Sequence, residues 1–240
     1  YSEAGQCHAE AIKLEPSGLP QRLGYGQALQ QLCQIQEAIA EYRSILADHP
    51  DLGYAKSHIL VASNYLEPSA DKLAEQHRAY GREISIRAQR TIPPTLGSKL
   101  NVGILSPDLR AHSCAYFLEP LLDFLPSGIE VSLYYDHLVA DSTTARLANK
   151  VGRRLQQVAH LGNRELEQKM VADKSGVVID LAGHFSRNRM ELFANRVAPV
   201  QVAYLGYPNT TGVAGMDYRL ADPRVDRPEH QGHFTETLAF

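Results

Sequence analysis

The hydrophobic pattern of this chain changes period near residue 98, and that change decides most of what it can fold into. Up to about residue 90 the apolar positions recur at helical spacing. From Lys99 onward, short apolar runs of strand length alternate with helical segments. Such alternation predicts a parallel sheet with helices on both faces. The chain therefore reads as an all-α region over residues 1–90 and an α/β region over 98–240. Ile92-Pro-Pro-Thr-Leu-Gly97 breaks the helical pattern and reads as the boundary.

The helical region carries a repeat signal. Pro16 and Pro50 each close a helical segment, and they stand 34 residues apart, the tetratricopeptide period. With Pro50 as the closing proline, the small-residue positions fall on Gly26 and Ala38 and the aromatic position on Tyr42. One period earlier, Ala4 and Ala11 take the small positions. Small residues there let two helices approach, and the aromatic fills the gap between successive pairs. A plain helical hairpin fits the same residues. About three such repeats are needed for stability, so the chain is expected to be a piece of a longer superhelix of the kind that binds proteins and peptides on its concave face. Helices are expected over Tyr54–Tyr65 and from Ser69 to about Arg90.

In the α/β region, strands are expected at 100–106, 130–135, 155–158, 177–182 and 199–204, with a further short one after Met216. Helices are expected between them, the first capped by Ser113 and a later one by Asn163. In such a sheet, ligands bind outside the carboxyl ends of the strands. Three loops stand there. Leu205-Gly-Tyr-Pro-Asn-Thr-Thr-Gly212 offers glycines, at which a ligand can approach the backbone, and the Thr210 and Thr211 hydroxyls. A tight turn with hydroxyl caps accounts for it equally well. Ser106 to Ser113 places His112 at a helix start, where the positive end of the dipole favours a neutral ring able to act as a base or accept a hydrogen bond. A loop histidine that merely helps cap the helix is the alternative. Gly183-His184-Phe-Ser-Arg-Asn188-Arg189 gathers arginines that could meet phosphate or simply be solvated. Neither a dinucleotide fingerprint nor a P-loop is present. Cys114, two residues from His112, reads as packing rather than half of a dyad.

A net charge of −3 gives no electrostatic case for nucleic acid or anionic membranes, and no apolar run has the length of a membrane span. Three scattered cysteines argue against a disulfide framework or a zinc site and for a reducing, cytoplasmic compartment.

Several motifs resemble one family, the protein O-glycosyltransferases that include O-GlcNAc transferase and the plant SPINDLY proteins. Val102-Gly-Ile-Leu-Ser-Pro-Asp108 resembles its first strand, and His112-Ser-Cys-Ala-Tyr-Phe117 its His-Ser/Pro segment. Asp180-Leu-Ala-Gly-His184 with Asn188-Arg189 is similar to its Asp-Leu-Ser-Gly-His strand and loop. Ala198-Pro-Val-Gln-Val202, the 205–212 loop and Met216-Asp-Tyr218 resemble its longest signature. Ser57-His-Ile-Leu60 and Glu75-Gln-His-Arg78 look like the helical connector of bacterial members. The resemblance implies a Rossmann-like N-terminal lobe of a GT-B glycosyltransferase preceded by TPR-like repeats, with the donor lobe after Phe240. It implies an inverting, metal-independent transfer of a sugar to Ser or Thr hydroxyls of protein acceptors selected by the repeats. The donor would be UDP-GlcNAc or, in the SPINDLY manner, GDP-fucose, with no other cofactor. A non-catalytic interaction protein is the competing outcome. Carried over, His112 matches the proposed catalytic base or organiser, and Tyr207, Pro208, Thr210 and Thr211 match a loop facing the sugar and diphosphate. His184 matches a position that varies between histidine and tyrosine. Ile104, Leu109, Ser113 and Asn209 depart from the commoner family residues.

Overall fold

The computed structural model describes residues 2–15, 18–87 and 99–240. Pro16, which sets one end of the repeat period, and the boundary at 92–97 lie outside the described residues. The chain forms two compact units. One runs through Leu73 and includes His184–Ser186; the other comprises Ala74–Gly183 and Arg187–Phe240.

The first unit contains helices α1 (Ser2–Leu14), α2 (Leu19–Gln31), α3 (Ile35–Asp48) and α4 (Gly53–Ser63), and the start of α5 (Ala70–Arg87). Tyr42, Ala38 and Ile45 on α3 are fully buried beside Leu29 of α2 and Ala55 of α4. Gly26 on α2 faces the Tyr42 ring: a Cβ added there would stand 2.7 Å from the ring edge. The small and aromatic positions read from the sequence thus meet in one packed layer. Arg22 ties α2 to α3, with Nε 2.8 Å from Glu41, Nη1 2.9 Å from Asp48 and Nη2 2.7 Å from Ser44 Oγ. His58 on α4 is buried against Tyr42 and Tyr54, with ring centroids 5.2 and 4.4 Å away. Burial there pushes the imidazole down to about 4.

The second unit is built on a seven-stranded, all-parallel sheet. Its strands are β1 (Leu100–Ser106), β2 (Ile129–Tyr135), β3 (Leu155–Gln157), β4 (Ser175–Asp180), β5 (Val200–Tyr204), β6 (Tyr218–Leu220) and β7 (Thr237–Ala239), in the order β3-β2-β1-β4-β5-β6-β7. The connecting helices are α6 (Ser113–Leu121), α7 (Ser142–Val151), α8 (Asn163–Ala172) and α9 (Met190–Ala194). Strand alternation sets the two faces. Val131, Leu133 and Tyr135 of β2 join Ile104 of β1 in a core closed by Ala115 and Leu118 of α6 and Leu147 of α7. Tyr134 points to the other face, where its hydroxyl lies 3.0 Å from Asp173 Oδ2 and from Ser175 Oγ. Its ring lies where a Cβ on Gly103 would be.

The predicted alternation is the observed one, and β1 has the expected bounds. Differences lie at the ends. α6 stops at Leu121, with Pro120 in its last turn, rather than reaching Leu125. The cap of α8 is Gly162, whose N–H donates 2.9 Å to Glu165 Oε2, not Asn163. β7 had no strand signal, because three residues are too few to show a period. Among the described residues, no helix is long and apolar enough to cross a membrane.

Candidate functional site

The chain leaves β1 toward β2 on one side and leaves β4 toward β5 on the other, so the strand order reverses between these two neighbours. The crevice outside their carboxyl ends is the switch point of the sheet, where ligands of such folds bind. Two loops frame it. The first, 107–112, is fastened from below: Thr144 Oγ1 donates to Leu109 O at 2.8 Å, and Asp141 Oδ2 accepts from Ala111 N at 2.7 Å. The same Asp141 caps α7 through Thr143 N and Thr144 N, and these bonds hold its carboxyl below the usual range.

His112 closes this loop in extended conformation, φ −148° and ψ 153°, and is itself the N-cap of α6. Its Nδ1 accepts from Cys114 N at 3.3 Å, a task expected of Ser113. A ring nitrogen fits because the side chain of an extended residue folds back over the first free N–H groups of the helix. The side chain is 40% exposed, and Nδ1 lies 3.9 Å from Asp108 Oδ2. With Nδ1 accepting, a neutral ring carries its proton on Nε2, which is then a donor. Cys114 is buried beneath it, its Sγ 4.0 Å from Leu181 O; burial, with the Asp108 charge adding to it, pushes the thiol up to about 11.

The second loop follows β4. Asp180 ends the strand as a buried carboxyl whose Oδ1 accepts from Ala182 N at 3.2 Å and Oδ2 from Gly183 N at 2.6 Å. Burial outweighs these bonds and pushes it up to about 7. Gly183 has φ +56°, and a side chain there would run into the Tyr207 ring. His184 is fully buried, with Nδ1 3.3 Å from Ser57 Oγ. Arg189 grips Asp136 at the end of β2 with two bonds, 2.7 and 3.0 Å, and Asn163 with a third at 2.9 Å. This guanidinium is a structural clamp rather than a solvated or phosphate-seeking one.

The 205–212 loop turns sharply at Leu205, φ +63°, and then buries most of its side chains. Tyr207 is 3% exposed, with its hydroxyl 2.6 Å from His77 Nε2 on α5. Pro208 is exposed, and Asn209 beside it is half-buried. Thr210 and Thr211 point inward: Glu236 Oε2 accepts from Thr210 Oγ1 at 2.6 Å, and its Oε1 accepts from Thr211 N at 2.7 Å and from Thr211 Oγ1. The expectation that the twin hydroxyls face a sugar and diphosphate is corrected here. A buried carboxylate needs donors, and these are the nearest ones. Arg219 of β6 completes the frame, donating to Tyr207 O at 2.9 Å and Asn209 O at 3.3 Å while pairing with Asp226 at 2.9 Å. The sequence assigns no role to Glu236, Arg219 or His77. Each acts through a partner distant in sequence or inside an element too short to show a pattern.

Sheet, switch point and fastened loops define a Rossmann-like α/β lobe. Residues 77–240 match the family described as glycosyl transferase family 41, and the chain belongs to that family. It is 34% identical over 199 residues to the barley (Hordeum vulgare) protein named probable UDP-N-acetylglucosamine–peptide N-acetylglucosaminyltransferase SPINDLY, covering 79% of this chain and 21% of that one. It is 28% identical over 226 residues to the Caenorhabditis elegans UDP-N-acetylglucosamine–peptide N-acetylglucosaminyltransferase, covering 90% of this chain and 19% of that one. A solved structure of a Thermobaculum terrenum O-GlcNAc transferase mutant superposes with a TM-score of 0.89 at 28% identity, over 98% of this chain and 46% of that one. The chain spans about a fifth of the length of the curated relatives it matches.

Proposed function

We propose that this chain supplies the helical region and N-terminal lobe of a GT-B enzyme that transfers N-acetylglucosamine from UDP-N-acetylglucosamine to Ser or Thr hydroxyls of protein acceptors. The observation that carries the reading is His112: a half-exposed imidazole on a fastened loop at the carboxyl end of β1, inside the segment matched by the family. The names of the barley and nematode relatives support the donor and the protein acceptor.

In an inverting transfer the acceptor oxygen attacks the anomeric carbon as the bond to the diphosphate breaks. With Nδ1 held by Cys114 N–H, a neutral His112 carries its proton on Nε2, a donor for an acceptor oxygen. We therefore assign it to orienting the acceptor oxygen, whose proton leaves with the departing diphosphate; alignment of this kind lowers a barrier by several kcal/mol. Pro208, the exposed residue of the 205–212 loop, and the half-buried Asn209 beside it face the donor through shape and backbone. The helical hairpins select the protein acceptor, and the three free thiols suit a reducing cytoplasm.

The test is incubation of the complete protein with an acceptor protein and either UDP-N-acetylglucosamine or GDP-fucose, followed by intact-mass spectrometry. The expected product carries one or more N-acetylhexosamine increments, with the first donor only. A deoxyhexose increment with GDP-fucose alone reassigns the donor, and no increment with either overturns the reading.

A further inference from the structure

Arg219 is the inward residue of β6, with Tyr218 and Leu220 on either side of it exposed. A buried guanidinium has to spend its donors on partners. Nε donates to Asp226 Oδ2 at 2.9 Å, and Nη1 donates to Tyr207 O at 2.9 Å and to Asn209 O at 3.3 Å. The guanidinium carbon lies over the Phe234 ring, 5.4 Å from its centroid. The two carbonyls stand on either side of Pro208, the exposed residue of the 205–212 loop. We infer that, on the transferase reading above, Arg219 is a positioning residue for the sugar donor: by drawing the carbonyls of Tyr207 and Asn209 inward it sets the turn at Pro208 and Asn209 that meets the nucleoside diphosphate.

An ionised diphosphate offers only acceptors, and a carbonyl oxygen is an acceptor too, so the two repel when they face one another. Arg219 takes two such oxygens out of the donor's path. The ends of the loop have fasteners of their own, Tyr207 to His77 and Thr210 and Thr211 to Glu236. Arg219 therefore acts on the middle of the loop, and its effect on the turn can be separated from its effect on the fold. Lysine is no substitute, because an ammonium lacks both the planar fork that reaches two carbonyls and Asp226 together and the flat face that lies on Phe234.

The test compares the complete wild-type protein with Arg219→Lys and with Arg219→Met combined with Asp226→Asn, a pair of changes that strands no buried charge. Circular dichroism and thermal unfolding establish which variants are folded. Calorimetric titration with UDP-N-acetylglucosamine gives the donor Kd, and transfer to an acceptor protein gives kcat and the acceptor KM. A merely structural role would lower the folded fraction, and with it the apparent kcat, at an unchanged donor Kd. Positioning should instead weaken the donor Kd by about tenfold or more in the double variant, and by less in Arg219→Lys, with the acceptor KM changed by less than about threefold. A folded variant that binds the donor as wild type does overturns the inference and leaves the transferase reading standing. Wild-type protein that neither binds the donor nor transfers its sugar overturns that reading and the inference with it.

Discussion

Glu236 illustrates how one carboxylate can organise a loop without touching solvent. It is fully buried and accepts from two threonine hydroxyls and a backbone N–H. Removing it strands those donors, each costing about 1–3 kcal/mol when buried and unpaired. Glu236→Ala should therefore destabilise the chain by about 2–4 kcal/mol in urea unfolding, and Glu236→Gln by less, because one oxygen acceptor survives. Two other buried groups give opposite pH signatures. Asp180 has its folded value raised to about 7 from an ordinary 3.8. The fold thus binds the extra proton, and the contribution of this group to stability falls as pH rises from about 4 through 7. His58 is lowered to about 4 from 6.5, so its contribution is full above 6.5 and is lost as pH falls toward 4. Carbon-13 titration should place the Asp180 carboxyl midpoint near 7, and Asp180→Asn should flatten the slope it causes. An Asp180 midpoint near 4 would show that the carboxyl is solvated instead.

At the scale of elements, α5 and the 205–212 loop are locked by two glycines. A Cβ on Gly81 would collide with Gly212 O, and one on Gly212, at φ +73°, with His77 O. Gly212→Ala should cost about 2–3 kcal/mol and perturb the Tyr207–His77 bond, visible as a shifted His77 imidazole resonance. In the hairpins, Tyr42→Ala should cost about 3–5 kcal/mol by emptying the layer beside Gly26. Much of this scale was legible beforehand. The change of period marks the two regions, the alternation of strand and helix gives the sheet, and the 34-residue spacing locates Gly26, Ala38 and Tyr42. The loops are legible in place, while residue types leave open whether their side chains meet a ligand or cap a turn, and the structure has Thr210 and Thr211 capping Gly212 N and Val213 N. Nothing near Thr210 in sequence announces Glu236, 26 residues away. A threonine pair next to glycines looks the same whether it faces a ligand or a buried carboxylate. His112 stands out for its place at a helix start, where capping is one of two readings, and what makes it rather than Ser113 the cap is a set of backbone angles that residue types do not report.

At the scale of the whole molecule, the chain offers a lobe with its switch point framed on one side by His112 and on the other by the loops after β4 and β5. It represents about a fifth of the relatives' length, so the activity proposed for it belongs to the complete protein. There, on the proposed reading, the role of His112 separates from donor binding, because an imidazole that orients the acceptor leaves the donor contacts untouched. The decisive measurement compares complete wild-type protein with His112→Ala, reading kcat for sugar transfer and, separately, the Kd for UDP-N-acetylglucosamine. A fall in kcat of about 100-fold or more is expected from lost positioning, with the donor Kd changed by less than about threefold. Equal loss of both quantities, or turnover that survives the substitution, would contradict it.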